Sequence, residues 1–471
     1  MKTIVMKFGG TSVGNADAIA QAARLVQAGT QDWDRVVVVV SAMRGVTDAL
    51  IQGAQTAAQG DEETYRSIVS DLRVRHTLAV AELVTDPAGR TAILKTVDAH
   101  LDEYAAFCGS VHVLGEITPR AMDTISSMGE KMNARIVAAH LDAQGCAARP
   151  VDATELIVTD DCFQQAAPQI AETTEKVQQN LVPLLDAGVT PVVTGFMGAT
   201  ADGITTTLGR GGSDYSASIL GAALAADAVW TWTDVDGVLT ADPRMVPEAR
   251  IIPELSYSEV GELAYFGAKV LHPKTIRPVV ESGIPLWVKN TFNPTCPGTR
   301  IVAEPKSTPG TVKAVTAIPG LSMVTVEGRG MMGVPGIAAR TFSAVASQDA
   351  SVLMISQASS EQSICFVIPS DDVPAVIAAL EEELALELTR RDIERVWAID
   401  GVVIISAVGA GIRGTPGVAA RLFSALSGAE INIIAIAQGS SECSISLVVD
   451  GAQASQAVRQ IHHEVINHAS A

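Results

Sequence analysis

The carboxyl-terminal part of the chain carries one segment twice. Residues 333–364 align without a gap onto residues 414–445, an offset of 81, and 16 of the 32 aligned positions are identical by direct count. Pro335-Gly336 matches Pro416-Gly417, and Ala338-Ala339-Arg340 matches Ala419-Ala420-Arg421. Gln357 matches Gln438, and Ser359-Ser360-Glu361 matches Ser440-Ser441-Glu442. Each copy reads as strand, Gly-Pro-Gly loop, helix, strand, turn, strand. Two βαββ modules of one origin follow. Such modules expose sheet edges that pair with another copy, so a two-fold homo-oligomer is the expected assembly.

Upstream, Pro294, Pro297, Gly298, Pro305, Pro309 and Gly310 form a linker signature. Before it the pattern alternates. Residues 3–8 read as a strand ending in Gly9-Gly10-Thr11-Ser12, and a helix follows, capped by Asn15 and closed by Gly29. Val36–Val40 is a β-branched run, as in a strand buried on both faces. Residues 46–145 are mostly helical in pattern, with a break at Asp86-Pro87-Ala88-Gly89. Strands return near 148–151, at Pro191–Phe196, Ala228–Thr233 and Ile284–Lys289, with helices at 166–187, 213–225 and 256–266. Alternation of this kind predicts an α/β fold with a mainly parallel sheet in a three-layer αβα sandwich. The expected organisation is one such domain over 1–300 with a helical insert at about 60–115. A linker at 301–318 follows, which could also supply a strand to the second module, and the modules span 319–397 and 398–471.

The formal charge is −19. An acidic chain is repelled by nucleic-acid phosphates and anionic lipid, so neither is an expected partner. An anionic substrate must then be met by a few placed cations. The six cysteines are scattered without a C-x-x-C pair and read as buried reduced thiols. No signal-peptide pattern opens the chain, and no apolar run reaches the ~20 residues of a membrane span, so the cytoplasm is the expected compartment.

Candidate cations cluster in glycine-rich turns. Lys7-Phe8-Gly9-Gly10-Thr11-Ser12 places a charge and two glycines at a strand end, where the glycines can take positive φ and aim N–H groups at an anion. A tight turn with a solvated lysine is the plainer reading of this segment alone, and the spacing is not that of a P-loop. Thr205-Thr206-Thr207-Leu208-Gly209-Arg210-Gly211-Gly212-Ser213-Asp214 surrounds one arginine with three glycines before a helix that Ser213 can cap. Trp232-Thr233-Asp234-Val235-Asp236-Gly237 ends a strand, and Asp242-Pro243-Arg244 follows; both are also ordinary turn sequences. Lys269, in Phe266-Gly267-Ala268-Lys269-Val270-Leu271-His272-Pro273, could be only a helix-end charge, and Glu130 only a surface acid. Together, Lys7, Arg210, Arg244 and Lys269 suggest a site in one sheet domain for a triphosphate beside a carboxylate.

The segments KFGGTSV (7–13), TLGRGGSDYS (207–216), WTDVDG (232–237) and FGAKVLHP (266–273) resemble, in order, the aspartate kinase branch of the amino-acid kinase family. The repeat resembles that branch's paired ACT domains. The likeness is greatest to the kinase half of bifunctional aspartokinase–homoserine dehydrogenases, without their dehydrogenase half. It implies ATP and L-aspartate as substrates, with Mg2+ accompanying the ATP and no metal ligands among the site residues. Lys7, Gly9 and Gly10 are then expected on the transferring phosphoryl group, and Asp214 as the residue that orients Lys7. Ser41, Glu130, Arg210 and Ser213 are expected on aspartate, with Glu130 at the α-amino group and Arg210 at the α-carboxylate. Thr233, Asp234, Arg244 and Lys269 are expected around the nucleotide. Leu239 stands where relatives often carry Tyr.

The resemblance also implies feedback by an end-product amino acid, with Gln357, Asn432 and Gln438 as effector contacts. It favours threonine, then lysine, and assembly into a homodimer or homotetramer through the ACT domains. Two alternatives stay open: a kinase of the same fold acting on glutamate, acetylglutamate or UMP, and a catalytically silent amino-acid sensor.

Overall fold

The computed structural model describes residues 1–266, 271–305, 311–331, 334–357, 362–412, 414–439 and 443–467. The chain divides into two units. The first gathers Met1–Val238, Pro253–Tyr257 and Val270–Pro305; the second gathers Leu239–Ile252, Ser258–Lys269 and Lys306–Ala471.

The first unit opens with β1 (Thr3–Phe8), α1 (Ala16–Asp32) and β2 (Arg35–Val40), then five helices: α2 (Val46–Ala58), α3 (Glu62–Leu83), α4 (Pro87–Leu114), α5 (Pro119–Ser126) and α6 (Met128–Ala143). It continues through β3 (Ala148–Val151), β4 (Val158–Thr159), α7 (Ile170–Asn180), α8 (Val182–Asp186), β5 (Thr190–Thr194), β6 (Met197–Thr200), β7 (Thr205–Thr207), α9 (Gly212–Ala223) and β8 (Ala228–Thr233). Last come β9 (Glu254–Ser256), α10 (Tyr257–Tyr265, whose body belongs to the second unit), α11 (Pro273–Glu281), β10 (Leu286–Asn290) and β11 (Thr299–Val302).

One eight-stranded sheet runs β3-β5-β2-β1-β8-β10-β11-β9. All neighbours are parallel except β10 and β11. The alternation of a strand sends Ile4, Met6 and Phe8 into a core shared with α1 and α6. Val5 and Val37 are equally buried, so the central strands are covered on both faces. Asn15 caps α1 by accepting from the Ala18 N–H, as read from the sequence. The helix does not stop at Gly29 but runs on to Asp32. The helical stretch breaks between Leu83 and Pro87, and Asp86 caps α4.

In the second unit each copy of the repeat acquires an extra helix. The first is β12 (Ala314–Glu327), α12 (Ile337–Ser347), β13 (Met354–Gln357), β14 (Ser363–Pro369) and α13 (Val373–Glu383), followed by α14 (Ala385–Arg390). The second is β15 (Arg395–Val408), α15 (Val418–Gly428), β16 (Ala435–Ala437), β17 (Ser444–Asp450) and α16 (Ala454–His462). The closing helices are needed because Val376 and Leu380 on one, and Ala457, Val458 and Ile461 on the other, complete the cores.

Six strands form one antiparallel sheet, β13-β14-β12-β15-β17-β16. The two long strands serve both modules. Leu321–Glu327 of β12 pairs with β14, whereas Ala314–Ile318 pairs with Val408–Ile404 of β15, next to β17. The second module therefore takes a strand from residues that precede the first.

Segments 239–252 and 258–266 were expected within the sheet domain but pack with this unit. Ala241 and Val246 enter the second module's core, Thr240 Oγ1 bonds His462 Nε2 at 2.9 Å, and Phe266 enters the apolar cluster on the sheet. Fully buried Glu259 pairs with Lys313 Nζ at 2.9 Å and accepts from the Ala410 N–H.

All six cysteines are free, but only Cys108 is buried and Cys162 is exposed, which corrects the expectation of uniformly buried thiols. Among the described residues no helix is long and apolar enough to cross a membrane.

Candidate active site

The carboxyl ends of β1, β2 and β5 and the start of α9 surround a cleft of about 620 Å³ in the first unit. Lys7 is the one polar residue of β1 between buried neighbours. Because Met6 and Phe8 face α1 and α6, strand alternation turns Lys7 the other way, where its Nζ meets Asp214 Oδ1 at 2.7 Å. Its charge tolerates burial because it is paired. Gly9 and Gly10 differ from the expectation: neither has positive φ. Space is what they supply, since a Cβ on Gly10 would lie 3.3 Å from the Ala42 carbonyl and one on Gly9 3.5 Å from Lys7 Nζ.

Ser41 follows β2. Its Oγ donates to Ser213 Oγ at 2.9 Å, and its carbonyl accepts from Asn133 Nδ2 at 2.7 Å. Ser213 is therefore not the cap of α9. That place falls to Gly211, at φ 74° with no side-chain bond. Arg210 sits exposed in the turn Gly209–Gly212, lines the cleft, and has no carboxylate partner among the described residues. A Cβ on Gly195, just past β5, would come within 2.7 Å of Ser213 Oγ, so the Ser41–Ser213 contact requires glycine there.

Glu130, in the first turn of α6, is 3% exposed, and its Oε2 has no hydrogen-bond partner among the described residues. Burial pushes its carboxyl up to about 8. Asp123, in α5, is fully buried in the same cleft wall and accepts from the N–H groups of Gln164 and Thr207 and from Thr207 Oγ1. Burial raises its carboxyl too, against the pull of those donors.

Eight of the sequence-selected residues thus line one cleft: Lys7, Gly9, Gly10, Ser41, Glu130, Arg210, Ser213 and Asp214. The others lie elsewhere. Thr233 Oγ1 donates to Asp234 Oδ1 at 3.2 Å, and Asp234 lines a second cleft, of about 700 Å³, with Arg24, Arg44 and Arg75. Arg244 does not line the first cleft: it belongs to the second unit, and its exposed guanidinium pairs with Asp242 at 2.6 Å. The expectation that all four cations share one sheet domain is corrected on that point, because Val246 draws its segment into the other core. Lys269 lies outside the described residues. Gln357 ends β13, Gln438 follows β16, and both are exposed, as is Asn432. β13 and β16 are the outermost strands in the sheet order, yet their Cα atoms come within 8 Å of each other.

Asn133, Gly195 and Asp123 escaped the sequence reading, although Asn133 follows Glu130 by one helical turn, a spacing that puts both on one face.

Among the described residues no group of three or more His, Cys, Asp and Glu side chains could hold a metal ion. Asp214 is engaged by Lys7 and Asp123 by its donors. This donor set fits a magnesium ion that arrives on a nucleotide's phosphates with much of its water, and does not form a protein cage.

Comparison with known proteins agrees with this architecture. Residues 2–290 match the amino acid kinase family, and residues 324–384 and 405–465 match the ACT domain. The chain is 37% identical over 98% of its length to a bifunctional aspartokinase/homoserine dehydrogenase of Haemophilus influenzae, of which it covers 56%. It is 33% identical over 98% of its length to the chloroplastic aspartokinase 1 of Arabidopsis thaliana, covering 79% of that protein. E. coli aspartokinase III, solved in complex with lysine and aspartate, superposes with a TM-score of 0.80 at 30% identity, covering 99% of this chain and 100% of that one. The same enzyme has been solved with aspartate and ADP. The chain spans about half the length of the bifunctional relatives it matches. The fold and the matches define a three-layer α/β domain of the amino acid kinase kind followed by a pair of ACT modules. The chain belongs to the amino acid kinase family, in its aspartokinase branch with ACT domains.

Proposed function

We propose that the chain transfers the γ-phosphoryl group of ATP to the side-chain carboxylate of L-aspartate, giving 4-phospho-L-aspartate, under feedback control by an end-product amino acid. The observation that carries this reading is the convergence of a buried Lys7–Asp214 pair, an Arg210 without a carboxylate partner among the described residues and a buried Glu130 on one cleft.

The attacking carboxylate has an ordinary pKa near ~3.9 and is ionised at neutral pH, so no general base is required. One of its oxygens bonds to the γ-phosphorus while the bond from that phosphorus to the β,γ-bridging oxygen breaks. The electron pair leaves with ADP, and no proton moves. The obstacle is the approach of an anion to a triphosphate, and positioning with fixed positive charge lowers it. In this reading Lys7 and the Gly9–Gly10 backbone meet the transferring group, and Asp214 holds Lys7 in line. Arg210 grips the α-carboxylate through two parallel bonds, Glu130 takes the α-ammonium, and Ser41 and Ser213 bond the rest of the substrate. Thr233 and Asp234 serve the nucleotide. Mg2+ bound to the phosphates would neutralise part of their charge.

Effector binding is assigned to Gln357, Asn432 and Gln438, with threonine before lysine, in a homodimer or homotetramer built through the ACT modules. Inhibition then requires different effector affinity in two conformations.

An acyl-phosphate assay with ATP and either aspartate or glutamate tests the reading. Turnover with aspartate supports it. Turnover with glutamate alone replaces the substrate, and none with any acidic amino acid leaves a silent sensor. Calorimetric titration with threonine and lysine tests the regulatory half; no heat from either refutes this effector choice.

A further inference from the structure

The wall of the cleft that carries Arg210 is held by a residue that lies in none of the four sequence motifs. Asp123 Oδ2 accepts from the N–H groups of Thr207 at 2.8 Å and Gln164 at 2.9 Å, and its Oδ1 accepts from Thr207 Oγ1 at 2.8 Å. These donors come from two chain segments that are distant in sequence from Asp123 and adjacent in space. The Ala166 N–H donates to the Thr207 carbonyl, and a Cβ on Gly209 would lie 2.9 Å from the Gln164 carbonyl. The turn Gly209-Arg210-Gly211-Gly212 therefore begins two residues after Thr207, which Asp123 grips at two atoms, and it rests against Gln164, which Asp123 grips at a third.

Both supports of the turn are unusual. Gln164 and Phe196 are non-glycine residues at φ 69° and 73°, a region L side chains rarely adopt. Phe196 accepts from the Leu208 N–H, and a Cβ on Gly212 would lie 2.7 Å from its ring. Such conformations persist only where surrounding contacts impose them, and around Gln164 the carboxylate of Asp123 supplies that contact. No lysine or arginine pairs with Asp123 among the described residues; its charge is met by these three donors alone.

We propose that Asp123 is the positioning residue of the carboxylate-gripping arm, fixing Thr207 and Gln164 so that the guanidinium of Arg210 is presented to the substrate's α-carboxylate. This rests on the aspartate reading above. It assigns Asp123 no contact with substrate.

Substrate kinetics of the full-length chain test it. Asp123→Asn keeps the shape but turns an N–H2 group toward N–H donors. Its KM for aspartate should rise tenfold or more, while KM for ATP stays within about twofold and kcat falls less than KM rises. Thr207→Val removes one of the three donors and should give a smaller rise of the same kind, which keeps the test available if Asp123→Asn folds poorly. The decisive readout is a double-mutant cycle with Arg210→Ala. Acting through Arg210, either variant should lose most of its effect on the aspartate KM in the Arg210→Ala background. Full additivity, or equal rises in both KM values, would make Asp123 merely structural and overturn the proposal. If the wild-type chain does not use aspartate at all, the substrate reading fails instead, and the two failures are distinguishable.

Discussion

With Glu130 at the α-ammonium, as proposed above, substrate binding is a proton-linked event whose size follows from the burial of that carboxyl. With the Glu130 carboxyl pushed up to about 8, the free site holds a proton there at pH 7. An ammonium arriving at that carboxyl requires the ionised form. Reaching it from pH 7 costs about 1.4 kcal/mol, one unit of pKa. Binding of aspartate should therefore release about 0.9 proton at pH 7, and its affinity should rise roughly fiftyfold from pH 6 to pH 8 before levelling off. Isothermal titration in buffers of different ionisation enthalpy reads the proton count directly from the slope of the observed enthalpy. Glu130→Gln should abolish the slope and weaken binding. A wild-type enthalpy that does not vary with the buffer would refute the argument, because it would mean either that Glu130 is already ionised or that it never meets the ammonium. The same shift has a stability consequence. An unfolded glutamate titrates near 4.5, so between there and about 8 the fold binds a proton that the unfolded chain does not. The contribution is fully present below about 4.5 and is lost as pH rises through 8, on the order of 5 kcal/mol in all. Glu130→Gln should flatten that dependence in the ligand-free protein.

Three further perturbations follow from the same geometry. Lys7→Ala should cut kcat roughly 10²–10³-fold, the cost of losing a fixed charge at a developing anion, while circular dichroism stays native; unchanged turnover removes Lys7 from the mechanism. Gly195→Ala inserts a Cβ within 2.7 Å of Ser213 Oγ and should raise KM for aspartate about tenfold with little change for ATP; an unaltered KM would show that the Ser41–Ser213 contact is dispensable. Lys313→Ala strips the charge facing fully buried Glu259 and should cost about 3 kcal/mol in a denaturant melt, whereas Lys313→Met combined with Glu259→Leu should recover much of it. Equal loss in the single and double variants would mean that packing, and not charge, holds that contact.

What could be read in the sequence was local, and what could not was set by close approach between distant segments. Lys7, just before Gly9-Gly10 at the end of β1, and Arg210, between two glycines before α9, announce themselves by those glycines. The repeat announces two modules. Their exchanged strands are another matter. At roughly 3.3 Å per residue a 14-residue strand reaches across both modules, but nothing within its own residues says where the partner changes. Asn133 reaches Ser41 across 92 positions, and Asp123 reaches Thr207 across 84.

Glu130 is the sharpest case. Within α6 it stands beside Lys131 and reads as one more surface charge. Its burial comes from its neighbour on the other side. A Cβ on Gly129 would lie 2.7 Å from Ala42 Cβ and 3.1 Å from a Val46 methyl, so only glycine lets the first turn of α6 press against the loop after β2. That contact strips water from the carboxyl and lifts its proton affinity. A glycine inside a helical pattern ordinarily counts against the helix by about 1 kcal/mol. Here the same glycine tunes the charge of the acid beside it, so the residue that weakens the helix creates the chemistry of the cleft.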